Sequence, residues 1–174
     1  MLLLKTANAK TQLDFDLDHD SKDLLTIEKL LWSRGYKNVI GVDEAGRGPL
    51  AGPVVACALS FSHTIDFSSI SFFDEINDSK QVDAKKRIAI FEKLSTFPEI
   101  QWASSVIDVA TIDQINIRKA SLLAMKRAIE SLSQQIDIVI VDGRDAPTVD
   151  WDVVPIIKGD TKSKTIALAS IFAK

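Results

Sequence analysis

"VIGVDEAGRGPLAGP", residues 39–53, runs from a short apolar segment into two adjacent carboxylates and then into a backbone rich in glycine and proline. Residues 39–42 are apolar and largely β-branched, which predicts a strand. Successive side chains of a strand point to opposite faces. The glycines that follow Asp43 and Glu44, however, let the backbone bend and bring both carboxylates towards one point, and they let a ligand approach the main chain closely. The stretch therefore predicts a place where a cation and a polar ligand lie side by side.

Other interpretations of this stretch are open from the residues alone. Gly46-x-Gly48-x-x-Ala51 fits a dinucleotide-binding motif, but that motif must open a helix, whereas residues 54–61 favour a strand. A phosphate-binding P-loop needs a Lys-Ser or Lys-Thr pair that the stretch lacks. A third interpretation is structural: the two acids mark the point where a strand meets water, and the glycines form a turn.

A second carboxylate follows another apolar run, since residues 138–141 lead into Asp142 and Gly143. Asp-Gly also favours an ordinary turn. If two neighbouring strands end in acids at one edge of a sheet, three carboxylates converge, and they repel one another unless a cation lies among them. Oxygen ligands favour Mg²⁺ or Mn²⁺. His19 and His63 lie elsewhere, so no zinc site is expected, and carboxylate-bound divalent metals most often act on phosphoryl groups.

Hydrophobic spacing predicts a single α/β domain with a mixed sheet and packed helices. Thr111-x-x-Gln114 matches a helix capping box, with an apolar stripe from Ile115 to Leu132 behind it. The predicted strands are 39–42, 54–61, 100–109, 136–141 and 153–157, and the predicted helices are 24–33, 83–97, the capped helix and 165–174. Residues 62–78 are expected to form a loop, and residues 1–23 an acidic N-terminal appendage to a domain spanning 24–174.

Composition and charge restrict the partners and the cellular location that are expected. The chain has 174 residues and a net charge of −3, which argues weakly against a nucleic-acid partner, yet residues 80–87 and 158–174 each carry a net charge of +3. Its one cysteine, Cys57, excludes an internal disulfide and fits a reducing cytosol. Neither a signal peptide nor an apolar run long enough for a membrane span is recognised, so a cytoplasmic location and no membrane partner are expected.

Residues 41–55, "GVDEAGRGPLAGPVV", resemble the leading motif of bacterial ribonuclease HII, the type 2 ribonuclease H. The Gly46-Arg47-Gly48 triplet separates this family from the related ribonuclease HIII. The resemblance covers residues 39–174. Further segments match in order: Asn77-Asp78-Ser79-Lys80, Asn116, Ile140-Val141-Asp142-Gly143, Lys158-Gly159-Asp160 and Ala169-Ser170-Ile171-Phe172-Ala173-Lys174.

The resemblance implies a ribonuclease-H-like fold, with a five-stranded mixed sheet and flanking helices, and endonuclease activity. The implied substrates are RNA–DNA hybrids and single ribonucleotides in duplex DNA, cut on the 5′ side to leave a 3′-hydroxyl and a 5′-phosphate. This activity serves ribonucleotide excision repair and RNA primer removal. The resemblance also implies two Mn²⁺ or Mg²⁺ ions per active site. Asp43, Glu44 and Asp142 match three of the family's four catalytic, metal-binding carboxylates, and the enzyme is expected to be a monomer.

Six further residues match positions at which the family binds its substrate. The Gly-Arg-Gly triplet is expected to recognise the ribose 2′-hydroxyl, the group that separates RNA from DNA. The others are expected to contact the nucleic-acid backbone, although a loop serine and solvated lysines are the simpler interpretation of their residue types. The predicted substrate-binding set is Gly46, Arg47, Gly48, Ser79, Lys80 and Lys158.

The sequence departs from the family pattern at its end. The family continues after Ala-Lys with Val-x-Arg-Asp, whose aspartate is the fourth metal ligand, and with a tyrosine that stacks on the ribonucleotide sugar. The sequence stops at Lys174. Either it is a truncated piece of a longer enzyme, with residues 1–174 alone severely impaired in cleavage, or it is a natural short form of the enzyme with weak or no activity. The alternative function is a non-catalytic module that binds hybrid duplex without cutting it.

Overall fold

The computed structural model describes residues 23–48, 51–65 and 83–174. Most of the predicted acidic appendage lies outside the described residues. So do the greater part of the predicted 62–78 loop and two predicted substrate-binding residues, Ser79 and Lys80. None of the described helices is long and apolar enough to cross a lipid bilayer.

One mixed sheet of five strands organises the described part of the chain, as predicted. Its spatial order is β3-β2-β1-β4-β5. The three strands β1 to β3 form an antiparallel meander, whereas β4 and β5 run parallel to β1. The strands are β1 (Val39–Ala45), β2 (Val54–Phe61), β3 (Ile100–Ile107), β4 (Ile138–Asp142) and β5 (Val153–Ile156).

Helices cover both faces of the sheet, which gives the expected α/β architecture with flanking helices. Long α4 packs on one face, against β2, β3 and β1, and α5 packs on the other face, against β1 and β2. The helices are α1 (Thr26–Ser33), α2 (Ala84–Leu94), α3 (Val109–Ile115), α4 (Ile117–Glu130) and α5 (Lys164–Ala173), and a 3-10 turn spans Gly159–Thr161.

The predicted capping box at Thr111 is wrong. Asp108 caps the helix instead, because its carboxylate accepts a hydrogen bond from the backbone N–H of Thr111 at 2.8 Å. The helix then stops at Asn116, whose φ of 70° is incompatible with helical continuation. The Asn116 side chain accepts from Lys119 N–H at 3.1 Å and so caps α4. Two helices therefore stand where the apolar stripe predicted one.

Alternation along the strands divides the core into two layers. Val42, Val139 and Val141 pack with α4. Ile138 and Ile140 point the opposite way and pack with Ile166 of α5. All ten residues of α5 are buried. This helix lies between the sheet and the outer helices α1 and α2, which explains why its sequence is apolar and rich in small residues rather than amphipathic.

Gly41 is the point where α5 meets the sheet. A Cβ atom at this position would overlap backbone and side-chain atoms of Thr165, in the first turn of α5. Only glycine therefore allows the helix to approach the middle of β1 this closely. A side chain here would force α5 away from the strand that carries Asp43.

Glu28 of α1 anchors the N-terminus of α5. Its side chain is fully buried, and its Oε1 accepts hydrogen bonds from Ser163 Oγ at 2.6 Å, Thr165 N–H at 2.9 Å and Thr165 Oγ1 at 2.8 Å. Ser163 is the N-cap of α5, since its hydroxyl accepts a hydrogen bond from Ile166 N–H. Burial raises the pKa of Glu28, while the three hydrogen bonds oppose that rise. The carboxyl thus fastens α5 to α1 over a long sequence separation.

The buried carboxyl of Glu28 predicts that the stability of Glu28→Gln relative to wild type depends on pH. The pKa of Glu28 is higher in the folded state than in the unfolded state. The stability that its protonated carboxyl gives is therefore present below the unfolded pKa and is lost as the pH rises through the folded pKa. Glu28→Gln keeps an acceptor oxygen and cannot ionise, so its free energy of unfolding relative to wild type should increase as the pH rises above 4.5, the ordinary pKa of a glutamate. Glu28→Ala removes the shared acceptor of three buried hydrogen bonds and should lose at least about 2 kcal/mol throughout.

Urea denaturation at several pH values measures both effects. A Glu28→Gln difference that does not change with pH would contradict the assignment of a shifted carboxyl at this position.

Candidate metal centre

Two acids lie side by side at one edge of the sheet. Strands β1 and β4 are parallel, with Val42 opposite Val141, so the next residues along each strand are Asp43 and Asp142. Strand alternation puts both on the face covered by α5, the face to which Gly41 also belongs. The parallel register therefore brings together carboxylates that are about a hundred residues apart in sequence.

Asp43 is the most buried carboxylate of the site, with 5% of its surface exposed. It accepts hydrogen bonds from the backbone N–H of Glu44, at 2.7 Å, and from the hydroxyl of Ser170 in α5. Burial, together with the nearby charges of Asp142 and Glu44, raises the pKa of Asp43 to about 7. A proton and a cation therefore compete for this carboxylate near neutral pH.

Glu44 follows on β1 and, by alternation, leaves the strand on the opposite face. Its Oε1 accepts a hydrogen bond from Arg47 Nη1 at 3.0 Å, which closes the turn after the strand. Its Oε2 is buried and has no hydrogen-bond partner among the described residues. A buried carboxylate oxygen without a partner is costly, so this atom is available to a cation.

Asp142 is held by the turn that precedes α5. Its Oδ1 accepts a hydrogen bond from the backbone N–H of Gly159 at 2.6 Å. Gly159 has no side chain to separate the two segments, and a Cβ there would lie 2.7 Å from Ile166 Cδ1. Lys158 has the left-handed φ of 57° that starts this turn, and it is exposed beside the end of β4. The structure thus places Lys158 next to the third acid.

The three acids do not form a closed cluster in their present side-chain positions. Within residues 23–48, 51–65 and 83–174, no three acidic, histidine or cysteine side chains lie close enough together to enclose an ion. One oxygen of Glu44 is paired with Arg47, and one oxygen of Asp142 with Gly159. The donor chemistry nevertheless fits a hard divalent cation, because every donor is an oxygen and one of them is buried without a partner in the described part of the chain. Asp43, Glu44 and Asp142 would hold it.

The glycine-rich turn lies next to these acids. Gly46 has a φ of 101°, and a Cβ atom there would overlap the carbonyl oxygen of Pro53. Both its backbone conformation and its close contact therefore require glycine at this position. A Cβ atom at Gly48 would have no neighbour within 4 Å among residues 23–48, 51–65 and 83–174. Strand β2 begins at Val54, directly after the turn, which excludes the dinucleotide motif because that motif would open a helix here.

Sequence reasoning missed Ser170 as part of the site. It was named only as part of a segment that matches the family, and nothing in its spacing indicates which strand residue it contacts. The structure shows that it donates to Asp43. A hydroxyl in a helix that is otherwise almost fully apolar is the signal that could have indicated it.

Ionisation of the buried Asp43 carboxyl is expected to lower the stability of the fold. Its folded pKa lies above its unfolded value of 3.8, so its ionisation opposes folding, and this cost develops as the pH rises from about 4 through about 7. Asp43→Asn keeps the acceptor oxygen and removes the charge. At pH 8 we expect it to raise the free energy of unfolding by roughly 1–4 kcal/mol, and to have little effect near pH 4. Chemical denaturation in a chelating buffer measures this, and a variant less stable than wild type at pH 8 would contradict it.

The comparisons with known proteins agree on one family. The profile described as ribonuclease HII matches residues 40–174. A curated ribonuclease HII from Caldicellulosiruptor bescii is 44% identical over 155 residues, covering 89% of this chain and 72% of the relative. A ribonuclease HII from Listeria monocytogenes is 41% identical and covers 99% of this chain and 63% of the relative. The chain therefore spans about two thirds of the length of these relatives.

Solved structures show the same fold. The ribonuclease H2 from Pyrococcus horikoshii superposes with a TM-score of 0.62 at 27% identity, over 78% of this chain and 69% of the other. Bst-RNase HIII, solved in complex with Mn²⁺, superposes with a TM-score of 0.64 at 21% identity, over 80% of this chain and 51% of the other. The family profile, the sequence relatives and the ribonuclease-H-like fold agree, and the chain belongs to the ribonuclease HII family.

Proposed function

We propose that this chain carries the catalytic site of an endonuclease that cleaves the RNA strand of RNA–DNA hybrids, and that cleaves duplex DNA on the 5′ side of single embedded ribonucleotides. One observation supports the proposal most directly. Asp43 and Asp142 occupy equivalent positions on neighbouring parallel strands, and the adjacent Glu44 has a buried oxygen without a partner among the described residues. Oxygen donors arranged in this way suit divalent cations that act on phosphodiesters.

The metal requirement is part of the proposal. Two Mg²⁺ or Mn²⁺ ions, when bound, would supply Lewis-acid stabilisation and an activated water for phosphodiester hydrolysis. The chain's own contribution is to hold the donors. Asp43 is fixed by Ser170 and by the N–H of Glu44, and Asp142 is fixed by Gly159. The solved Bst-RNase HIII complex contains Mn²⁺, which supports a site of this kind in the shared fold.

Recognition of ribose is assigned to the turn formed by Gly46, Arg47 and Gly48. At Gly48 a Cβ atom would meet no atom of the described residues within 4 Å, so these residues leave the main chain accessible there. Backbone donors and acceptors can therefore reach a ribose 2′-hydroxyl, which a deoxyribose cannot offer. Lys158 is exposed beside Asp142 and is placed for a phosphate contact. The same contact is proposed for Ser79 and Lys80, which lie outside the described residues.

The cellular setting is inferred from the same function. Removal of ribonucleotides from DNA and of RNA primers places the protein where DNA is replicated and repaired, in the cytoplasm of a bacterial cell. The buried free thiol of Cys57 fits a reducing compartment. A monomeric state remains a prediction.

A cleavage assay on two duplexes tests the proposed activity. Residues 1–174 and a chimera that adds the C-terminal continuation of the Caldicellulosiruptor bescii relative after Lys174 are each incubated with Mn²⁺. One substrate is an RNA–DNA hybrid and the other is DNA with one ribonucleotide. We expect the chimera to cut both and residues 1–174 to be severely impaired. Near-normal turnover by residues 1–174 would refute the need for a fourth carboxylate, and binding without cleavage by both proteins would favour the hybrid-binding alternative.

Asp43→Asn in the chimera tests the metal assignment. The substitution removes the charge at the centre of the site and keeps its size, so we expect cleavage to fall to background while hybrid binding stays within about threefold of the unmodified chimera. Lys126→Ala, on the exposed side of α4, is the control and should cleave normally. Cleavage retained by Asp43→Asn would show that the metal assignment is wrong.

A further inference from the structure

A second group of charged side chains lies beside the acids, on the side of the sheet that α4 covers. It lines a small pocket between the first turns of α4, the glycine-rich turn and the segment that follows β4. The pocket is bordered by two apolar residues of α4 and by six polar or charged residues: Arg47, Arg118, Ser121, Asp142, Arg144 and Asp145. The lining thus contains three arginines and two aspartates, and one of these residues, Asp142, also belongs to the candidate metal centre.

One arginine of the pocket, Arg118, is paired with the carboxylate of Asp145. Arg118 donates to both oxygens of Asp145, through Nη2 at 2.6 Å and through Nε at 3.0 Å. The hydrogen bonds from Arg118, with a smaller contribution from the charge of Arg47, hold the pKa of Asp145 below its ordinary value. A guanidinium fork offers the same two-pronged geometry to a phosphate group. Asp145 therefore occupies a position suited to an anion.

The wall of the pocket carries a further polar group in need of a partner. Ser121 is 2% exposed, and in the described part of the chain its hydroxyl has no hydrogen-bond partner. It lies in the first turns of α4, where the helix dipole also favours negative charge. The hydroxyl oxygen is itself almost inaccessible, and a rotation about χ1 would let it meet a ligand oxygen in the pocket. The hydroxyl, the helix end and the arginines all favour the same kind of ligand.

We propose that this pocket binds a backbone phosphodiester of the nucleic-acid substrate through Arg118 and Arg144. Until nucleic acid binds, the carboxylate of Asp145 occupies the position of that phosphate and pairs with Arg118. The inference rests on the proposed function and adds a subsite to it. A nucleic-acid phosphate is the favoured anion because Arg47, of the glycine-rich turn, and Asp142, of the candidate metal centre, line the same pocket. The bound phosphate is therefore a near neighbour of the one that is cleaved.

Removing the acidic partner of the Arg118–Asp145 ion pair should strengthen binding of nucleic acid, whereas removing the arginine should weaken it. In Asp145→Asn, Arg118 is released to the phosphate, so affinity for an RNA–DNA hybrid should increase at least about threefold, the order expected for one exposed ion pair. Arg118→Ala should weaken binding and reduce the magnitude of the slope of log K against log salt by about one. In the Arg118→Ala background, Asp145→Asn should give less than half of its effect on the binding free energy, because the two residues act through one contact.

The same helix offers a matched control. Lys126 and Glu130 form an exposed ion pair at 3.7 Å on α4, away from the pocket lining. Glu130→Gln changes the net charge as Asp145→Asn does, and Lys126→Ala changes it as Arg118→Ala does. Neither control should change hybrid affinity more than about twofold, which separates a local contact from a general effect of net charge.

Fluorescence anisotropy with a labelled RNA–DNA hybrid in EDTA measures all of these affinities without cleavage, and circular dichroism verifies that each variant is folded. Equal affinities for Asp145→Asn and Glu130→Gln would overturn the proposal, as would an undiminished Asp145→Asn effect in the Arg118→Ala background. If wild type binds hybrid and these variants do not differ, only the subsite is wrong. If wild type binds no hybrid at all, the proposed function fails as well.

Discussion

The close packing of α5 against β1 is the constraint on which the rest of the site depends. Gly41 has no side chain, so the first turn of the helix rests directly on the middle of the strand. The helix can then direct Ser170 to Asp43, and the turn before it can direct Gly159 to Asp142. Glu28 fixes the N-terminus of the same helix through Ser163 and Thr165. One buried helix therefore orients two of the three acids.

The acids themselves are electrostatically unfavourable where the fold puts them. Asp43 is almost fully buried and lies near two other carboxylates, so its ionised form is disfavoured. The surrounding core tolerates this because the sheet is covered on both faces by well-packed apolar layers. Stability is thus concentrated in the layers around the sheet and is lowered at its edge, the arrangement expected of a site that binds cations.

Much of the fold could be predicted from local pattern. The apolar runs gave the five strands to within a few residues, and the strand after the glycines argued against a nucleotide-binding loop. The break at Asn116 was not predictable, since it depends on a single residue in the left-handed region within a continuous apolar stripe. The cap at Asp108 was likewise not predicted, because nearby Thr111 and Gln114 fit the spacing of a capping box.

The part of the candidate site that lies at the ends of strands could be predicted from the sequence. Two apolar strands that each end in an acid suggest a shared edge, and the parallel register of β1 and β4 places Asp43 beside Asp142. The roles of Ser170, Glu28 and Asp145 depend on contacts between segments far apart in sequence, which no local spacing encodes. Anomalous diffraction from crystals soaked in Mn²⁺ tests the metal centre most directly. We expect a peak bounded by the carboxylates of Asp43, Glu44 and Asp142, whereas a saturating soak that leaves this position empty would contradict a cation site there.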